Sequence, residues 1–199
     1  MDTATDRLLD LVRTQGLVRP NDLAPLGIPR VALTRAVRRG QLERVGRGLY
    51  GLMARPVSAH GTLAEVALRV PKGVICLLSA LRFHGLTTQA PFEVWLAIDN
   101  KAAIPKMDYP PLRINRFSGA ALTGGIEEHV VDGVTVRVTS VAKTVADCFK
   151  YRNKIGLDVA LEALREAWKN KRITSDEIWL YAKIDRVANV MRPYLESLA

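Results

Sequence analysis

The sequence predicts an α+β protein in two parts, on three observations. A basic amphipathic stretch, residues 29–39, runs straight into a glycine-hinged hairpin at residues 43–52. Alternating apolar and polar segments occupy the middle of the chain, and two of them flank Asp132-Gly133. From Val141 onward the apolar residues recur at helical spacing. Helices closed by a hairpin, then strands, then helices, is the order of a small helical unit followed by a mixed domain with a small sheet and several helices.

The N-terminal elements follow in turn. Residues 6–15 carry Leu8, Leu9, Leu11 and Val12 at helical spacing, and Gly16 behind them is a stop. Residues 20–26 read as a brief second helix, followed by a Gly27-Ile28 turn. The next helix opens at Pro29, a favourable first position, and stops at Gly40. On a helical wheel, Ala32, Leu33, Ala36, Val37 and Gly40 fall within about 140° of arc. Arg30, Val31, Thr34, Arg35, Arg38, Arg39 and Gln41 fill the other half. The first face is small and apolar enough to pack on two other helices. The second carries four arginines and two hydrogen-bonding polar residues. The hairpin then turns at Gly46-Arg47-Gly48, which places Arg47 at its tip. This is the outline of a winged helix-turn-helix, whose basic face suits the major groove of double-stranded DNA.

Charge distribution separates a ligand-facing surface from a merely solvated one. A charged helix face is ordinarily solvated, with mixed signs that form i,i+4 pairs. Residues 30–55 instead hold seven arginines (30, 35, 38, 39, 44, 47 and 55) against one acid, Glu43. An anionic partner would relieve that self-repulsion. The whole chain has a formal charge of +9, and residues 1–55 are roughly three times more basic per residue than the remainder. The electrostatic footprint therefore lies in the N-terminal part. The predicted division is a DNA-binding domain at 1–55 and a second domain at 56–199, joined across the aperiodic, proline-bearing stretch 53–60. No apolar run approaches the length of a membrane span. The early acids of MDTATDRLLDL do not fit a signal peptide, so a soluble, cytoplasmic protein is expected. Cys76 and Cys148 lie far apart among apolar neighbours, as reduced core residues do.

In the second domain, residues 62–70 read as a short amphipathic helix ending before Pro71, and residues 74–84 as a buried helix closed by Gly85. Residues 92–98 read as a central strand and 112–117 as a second one. Residues 126–131 and 134–138 flank Asp132-Gly133, a strong hairpin signal. Helices follow at 142–151 and at 157–170, the latter with Leu157, Leu161, Leu164 and Trp168 on one stripe. Thr174-Ser175-Asp176-Glu177 opens another helix as a capping box, and a last helix near 187–198 carries Val190, Met191, Tyr194 and Leu198.

The usual catalytic constellations are missing from this sequence. His60, His84 and His129 sit in three different elements without zinc spacing, and there is no CxxC. Ser79 and His84 are five apart on one helix, so they point about 140° apart and cannot form a nucleophile–base pair there. No G-x-x-x-x-G-K-[ST] occurs. Glu93 and Asp99 share a strand face, with Lys101 behind them, a pattern that could hold Mg²⁺ in a nuclease. The earlier carboxylate such a site needs is missing, because no acid lies between Glu65 and Glu93. The expectation is a non-enzyme without metal or cofactor. Lys143 and Asp147 stand at i,i+4 and read as a pair, or as contacts to a partner.

Three fragments, RGLYGL, LLSALRFHGLTTQAPFEVWLAI and VTSVAKTVADCFKYRNKIGLDVALEAL, in this order, resemble the AbiEi family of bacterial antitoxins. The resemblance runs to about residue 168. It implies an N-terminal winged helix-turn-helix that represses the promoter of its own operon. It also implies a C-terminal domain that neutralises a nucleotidyltransferase-like toxin in a type IV toxin–antitoxin, abortive-infection (phage-defence) system, without requiring a stable complex. Gly46, Arg47 and Gly48 match the family's wing, and residues 34–39 its recognition helix. Ser79, His84 and Gly85 match its S-A-L…H-G segment, while Thr144 and Asp147 match a T-x-x-D helix. Ser79, His84, Lys143, Thr144 and Asp147 are thus the candidates for antitoxin function. Hydrogen bonds from buried Ser79 and Asp147 to neighbouring loop backbones would account for those two equally well.

The expected interface follows from the helix. Arg30, Thr34, Arg35 and Arg38 are placed for base edges, Arg39 for phosphate, and Arg47 for the adjacent minor groove or its phosphates. One such module binds a short half-site weakly, so promoter DNA with inverted or repeated sites, occupied by several copies, is expected. Nothing resembles a coiled-coil seam, and a monomer in solution is the expectation. A stand-alone transcription regulator with a ligand- or partner-sensing C-terminal domain is the alternative.

Overall fold

A computed structural model describes residues 3–46, 48–53 and 59–198. The expected wing-tip residue Arg47, and residues 54–58 of the expected junction, lie outside the described residues. The chain forms two compact units, residues 1–69 with 130–135, and residues 70–129 with 136–199.

The first unit is built from α1 (Thr3–Gln15), β1 (Leu17–Val18), α2 (Pro20–Leu23) with a 3-10 turn at Ala24–Leu26, α3 (Val31–Arg38), β2 (Leu42–Gly46), β3 (Leu49–Leu52) and α4 (Gly61–Arg69). The three strands form an antiparallel sheet in the order β1-β3-β2. Leu8, Leu9 and Val12 of α1, Leu23, Ile28, and Ala32, Leu33 and Ala36 of α3 make one apolar core. The small alanines let α3 approach α1 closely, as its sequence pattern requires. At the end of α3, Gly40 adopts φ +67°, and the Gln41 N–H bonds back to the Ala36 carbonyl at 2.9 Å. A side chain at position 40 would strain that turn.

The sequence places the junction at residue 55, whereas the compact unit continues through α4 to Arg69. Two contacts bind α4 to it. Arg19 Nη1 donates to the Leu68 carbonyl at 2.7 Å, and the hairpin backbone at Gly46 lies so close to the Glu65–Arg69 ion pair that a Cβ there would collide with both.

The second unit is organised around a five-stranded mixed sheet, order β6-β5-β4-β8-β7. Its strands are β4 (Val74–Ile75), β5 (Val94–Asp99), β6 (Leu112–Phe117), β7 (Ile126–Val131) and β8 (Val134–Thr139). β5 and β6 run parallel, from Val94↔Leu112 to Asp99↔Phe117, while β4 is antiparallel to β5 and parallel to β8. Asp132 and Gly133 both take positive φ between β7 and β8, the turn the dipeptide predicts. The helices are α5 (Leu77–Phe83), α6 (Ala120–Thr123), α7 (Val141–Lys150), α8 (Arg152–Ile155), α9 (Leu157–Lys169), α10 (Ser175–Ile184) and α11 (Ala188–Glu196).

Two expectations about this unit change. Residues 74–84 are not one helix, because the β-branched Val74 and Ile75 pair with β5 and the helix begins only at Leu77. On α9 the buried face is Val159, Ala160, Ala163, Leu164 and Ala167; of the expected stripe Leu164 is buried, Leu161 and Trp168 pack against the core, and Leu157 is exposed. Alanines, rather than leucines, let α9 lie close against α7. The capping box on α10 forms as expected, with the Thr174 hydroxyl accepting from the Glu177 N–H at 3.2 Å and the Glu177 carboxylate accepting from the Thr174 N–H at 2.9 Å. α7 packs on α5, α9 and α10 and is buried from Val141 to Phe149.

Candidate nucleic-acid interface

The outer face of α3 is the basic surface the sequence describes. Arg30, Thr34, Arg35, Arg38, Arg39 and Gln41 are exposed, while Ala32, Leu33 and Ala36 are buried. Arg30, Thr34 and Arg38 follow one another at four-residue steps, so they form a line about 12 Å long at 1.5 Å per residue. That length matches the width of the major groove, about 12 Å. Arg30 caps the start of the helix, and its Nη2 donates to Asn21 Oδ1 on α2 at 2.7 Å. Arg35 and Arg38 lie in the last turn, where the helix dipole favours cations and so offsets part of their mutual repulsion. In the hairpin, Arg44 Nε donates to the Gly46 carbonyl at 3.1 Å, which folds that guanidinium onto the strand's own backbone.

The five candidates in the second unit have a different setting. Ser79, His84, Lys143, Thr144 and Asp147 are all at most 8% exposed. The Ser79 hydroxyl accepts from the Trp95 N–H at 2.9 Å, joining α5 to β5. His84 Nε2 donates to the Thr139 carbonyl at 2.7 Å, and burial lowers the ring's pKa, so the neutral tautomer is held. The Thr144 hydroxyl donates to the same carbonyl at 3.0 Å. Arg172 donates in turn to the His84 carbonyl. These bonds fasten the ends of α5, β8 and α7 together.

Lys143 and Asp147 do pair, and they do so in the interior. The Lys143 ammonium is fully buried between Asp147 Oδ1 and Asp185 Oδ2, the latter at 3.2 Å, and lies 5.1 Å from the centre of the Phe117 ring. Lys150, partly exposed, reaches Asp185 Oδ1 at 3.5 Å. Asp147 Oδ2 is buried without a hydrogen-bond partner. Burial, and the neighbouring Asp185 carboxylate, push Asp147 well above the usual carboxylate range, against the pull of Lys143. Of the two partners that sequence reasoning offered Asp147, Lys143 and a loop backbone, the structure shows the lysine. Asp185 was missed altogether. It follows α10 with no local signal, and the one hint is chemical, since a lysine buried in an apolar helix needs a counter-charge.

The nuclease pattern is not assembled. Glu93 pairs with Arg113 at 3.9 Å just before β5 begins, and Asp99 ends that strand. Six residues of extended chain separate the carboxylates by about 20 Å, too far to share a cation. Among the described residues there is no group of three His, Cys, Asp or Glu side chains placed to hold a metal. None of the described helices is long and apolar enough to cross a membrane.

Comparison with known proteins fits this picture. The chain is similar in structure to the RV2827C protein from Mycobacterium tuberculosis, with a TM-score of 0.59 and 13% sequence identity over 92% of this chain and 72% of that one. At that identity the likeness is one of fold alone. No curated protein matches the chain. Residues 6–52, which hold α1, the basic helix and the hairpin, match a family described as transcriptional regulator, AbiEi antitoxin. The winged helix-turn-helix segment is thus similar to that of the AbiEi antitoxin family of transcriptional regulators, a likeness confined to residues 6–52.

Proposed function

We propose that this chain is the antitoxin of a type IV toxin–antitoxin system and the repressor of its own operon. The exposed arginines of α3 carry the reading, because they cover a helix held by a wing-bearing unit of a regulator family. α3 enters the major groove of promoter DNA, with Arg30, Thr34, Arg35 and Arg38 toward base edges and Arg39 toward phosphate. Arg47 contacts the adjacent minor groove or its phosphates. The protein works in the cytoplasm as a monomer, and several copies fill inverted or repeated sites. The second unit neutralises a nucleotidyltransferase-like toxin, with Ser79, His84, Lys143, Thr144 and Asp147 maintaining the fold that does so.

The test is co-expression of the adjacent toxin gene with the wild-type chain and with Arg38→Ala/Arg39→Ala. Rescue by both, with promoter binding lost only in the variant, supports two separable activities. Failure of the wild type to rescue removes the antitoxin reading and leaves a DNA-binding regulator.

One observation favours the alternative of a ligand-sensing regulator. The second unit holds a cavity of about 320 Å³ walled by Val70, Val74, Ile98, Ala102, Pro105 and Leu122. Such concave, mostly apolar spaces are where small molecules bind. A promoter complex released by a small apolar metabolite, and no rescue from any toxin, would establish that reading.

A further inference from the structure

We infer that Asn21 and Arg30 act as one recognition element, in which Asn21 aims the Arg30 guanidinium at the major-groove edge of a guanine. This rests on the DNA-binding reading above and adds a base identity and a positioning residue to it. The two side chains are both exposed, and they are joined by the 2.7 Å bond from Arg30 Nη2 to Asn21 Oδ1.

Both ends of that bond stand on fixed backbone. Asn21 follows Pro20, whose ring sets φ, and precedes Asp22, whose carboxylate accepts from the Arg19 N–H at 2.8 Å. Leu23, next in line, is fully buried. Arg30 follows Pro29, which is anchored by the buried Ile28 before it, and the Arg30 carbonyl accepts from the Leu33 N–H at 3.1 Å. An exposed arginine otherwise samples many rotamers, and an acceptor at its tip removes much of that freedom before DNA arrives.

The chemistry then selects the target. A guanidinium has five donors in a planar fork, and Asn21 occupies one, leaving an edge with two parallel N–H groups. Guanine presents two acceptors, O6 and N7, side by side in the major groove. Adenine sets a donor, N6, beside its N7, and an edge of donors cannot satisfy it. A phosphate needs no such aiming. The start of the recognition helix is also where base contacts concentrate in helix-turn-helix proteins.

The experiment selects bound duplexes from a random library with the full chain. It then titrates the enriched duplex, the same duplex with the selected guanine changed to adenine, and an unrelated duplex. The expected wild-type result is a guanine preference of about 5- to 150-fold at one position of each half-site. Arg30→Ala should abolish that preference. Asn21→Ala should retain the same selected sequence but bind it about 2- to 10-fold more weakly, with the unrelated duplex and the salt dependence unchanged. Asn21→Asp, which keeps the acceptor, should preserve the guanine-to-adenine ratio although its charge weakens binding to every duplex. The proposal falls if Arg30→Ala keeps the guanine preference. It falls equally if Asn21→Ala weakens all duplexes alike with a shallower salt slope, which would make Asn21 a phosphate contact. If the wild-type chain binds no duplex, the DNA-binding reading itself is lost, a result distinct from either.

Discussion

Replacing Lys143 by methionine removes the fully buried cation that sits between Asp147 and Asp185, while keeping the side chain's length and apolar stem. Both carboxylates are fully buried, and Lys150, which stays in place, is 3.5 Å from Asp185 and partly exposed. Removing one partner of a buried ion pair costs about 3–5 kcal/mol, because the uncompensated charge stays behind. For a unit of this size that corresponds to a fall in Tm of about 10–20 °C, readable by calorimetry or thermal circular dichroism at pH 7. The sign of the pH dependence supplies a second reading. A carboxyl whose folded pKa stands above its unfolded value favours the fold at low pH, and that contribution is lost as pH rises toward the folded pKa. Asp147 is already such a group, and loss of Lys143 raises it further. The gap between variant and wild type should therefore narrow at pH 5. The triple variant Lys143→Met/Asp147→Leu/Asp185→Leu should recover much of the loss, since an apolar replacement of a whole buried ion cluster is often neutral or better. A Tm change under about 3 °C, the same at both pH values, would refute the reasoning.

Three other outcomes are expected. Burial holds His84 below its ordinary pKa of 6.5, so the unfolded chain protonates first and stability should fall as pH drops below 6.5. His84→Gln should lose less Tm between pH 7 and 5.5 than the wild type does, and equal losses would exclude the histidine as the source. If five phosphates are neutralised, log K should fall with log salt at a slope near ~−4.5, and Arg39→Ala should make it shallower by about 0.9. An unchanged slope would show that Arg39 does not touch phosphate. Cys76 and Cys148 are fully buried, and burial pushes both thiols well above their ordinary value. Neither should react with a disulfide reagent at pH 8 until the protein is denatured. Rapid labelling of the native chain would contradict their placement.

Features encoded by adjacent residues were the ones legible beforehand. The two faces of α3, the Asp132-Gly133 turn and the capping box at Thr174 each depend on residues within one or two turns of each other. The strands β1 and β4 have two residues apiece and exist only through pairing with distant strands, so no periodicity marks them. The stripe on α9 was legible in part, since Leu164 is buried and Leu161 and Trp168 pack on the core, but the alanines that face the interior beside them carry no comparable signal. At the interface the exposed arginines were readable, but the Asn21–Arg30 bond joins two helices across nine residues. In the second unit the i,i+4 spacing offered the Lys143–Asp147 pair, but nothing local pointed to its third member, Asp185. That α7 is buried along its length follows from the helices packed on it, and those come later in the chain.

The buried Lys143–Asp147–Asp185 cluster also bears on how this protein can diverge. A mutation that neutralises Lys143 leaves two carboxylates uncompensated in the interior, whereas loss of one aspartate still leaves a lysine–aspartate pair. Position 143 should therefore change only in descendants that have already lost a carboxylate at 147 or 185. Position 185, at the end of α10 while the other two lie within α7, would then reveal its partnership as correlated change across a lineage.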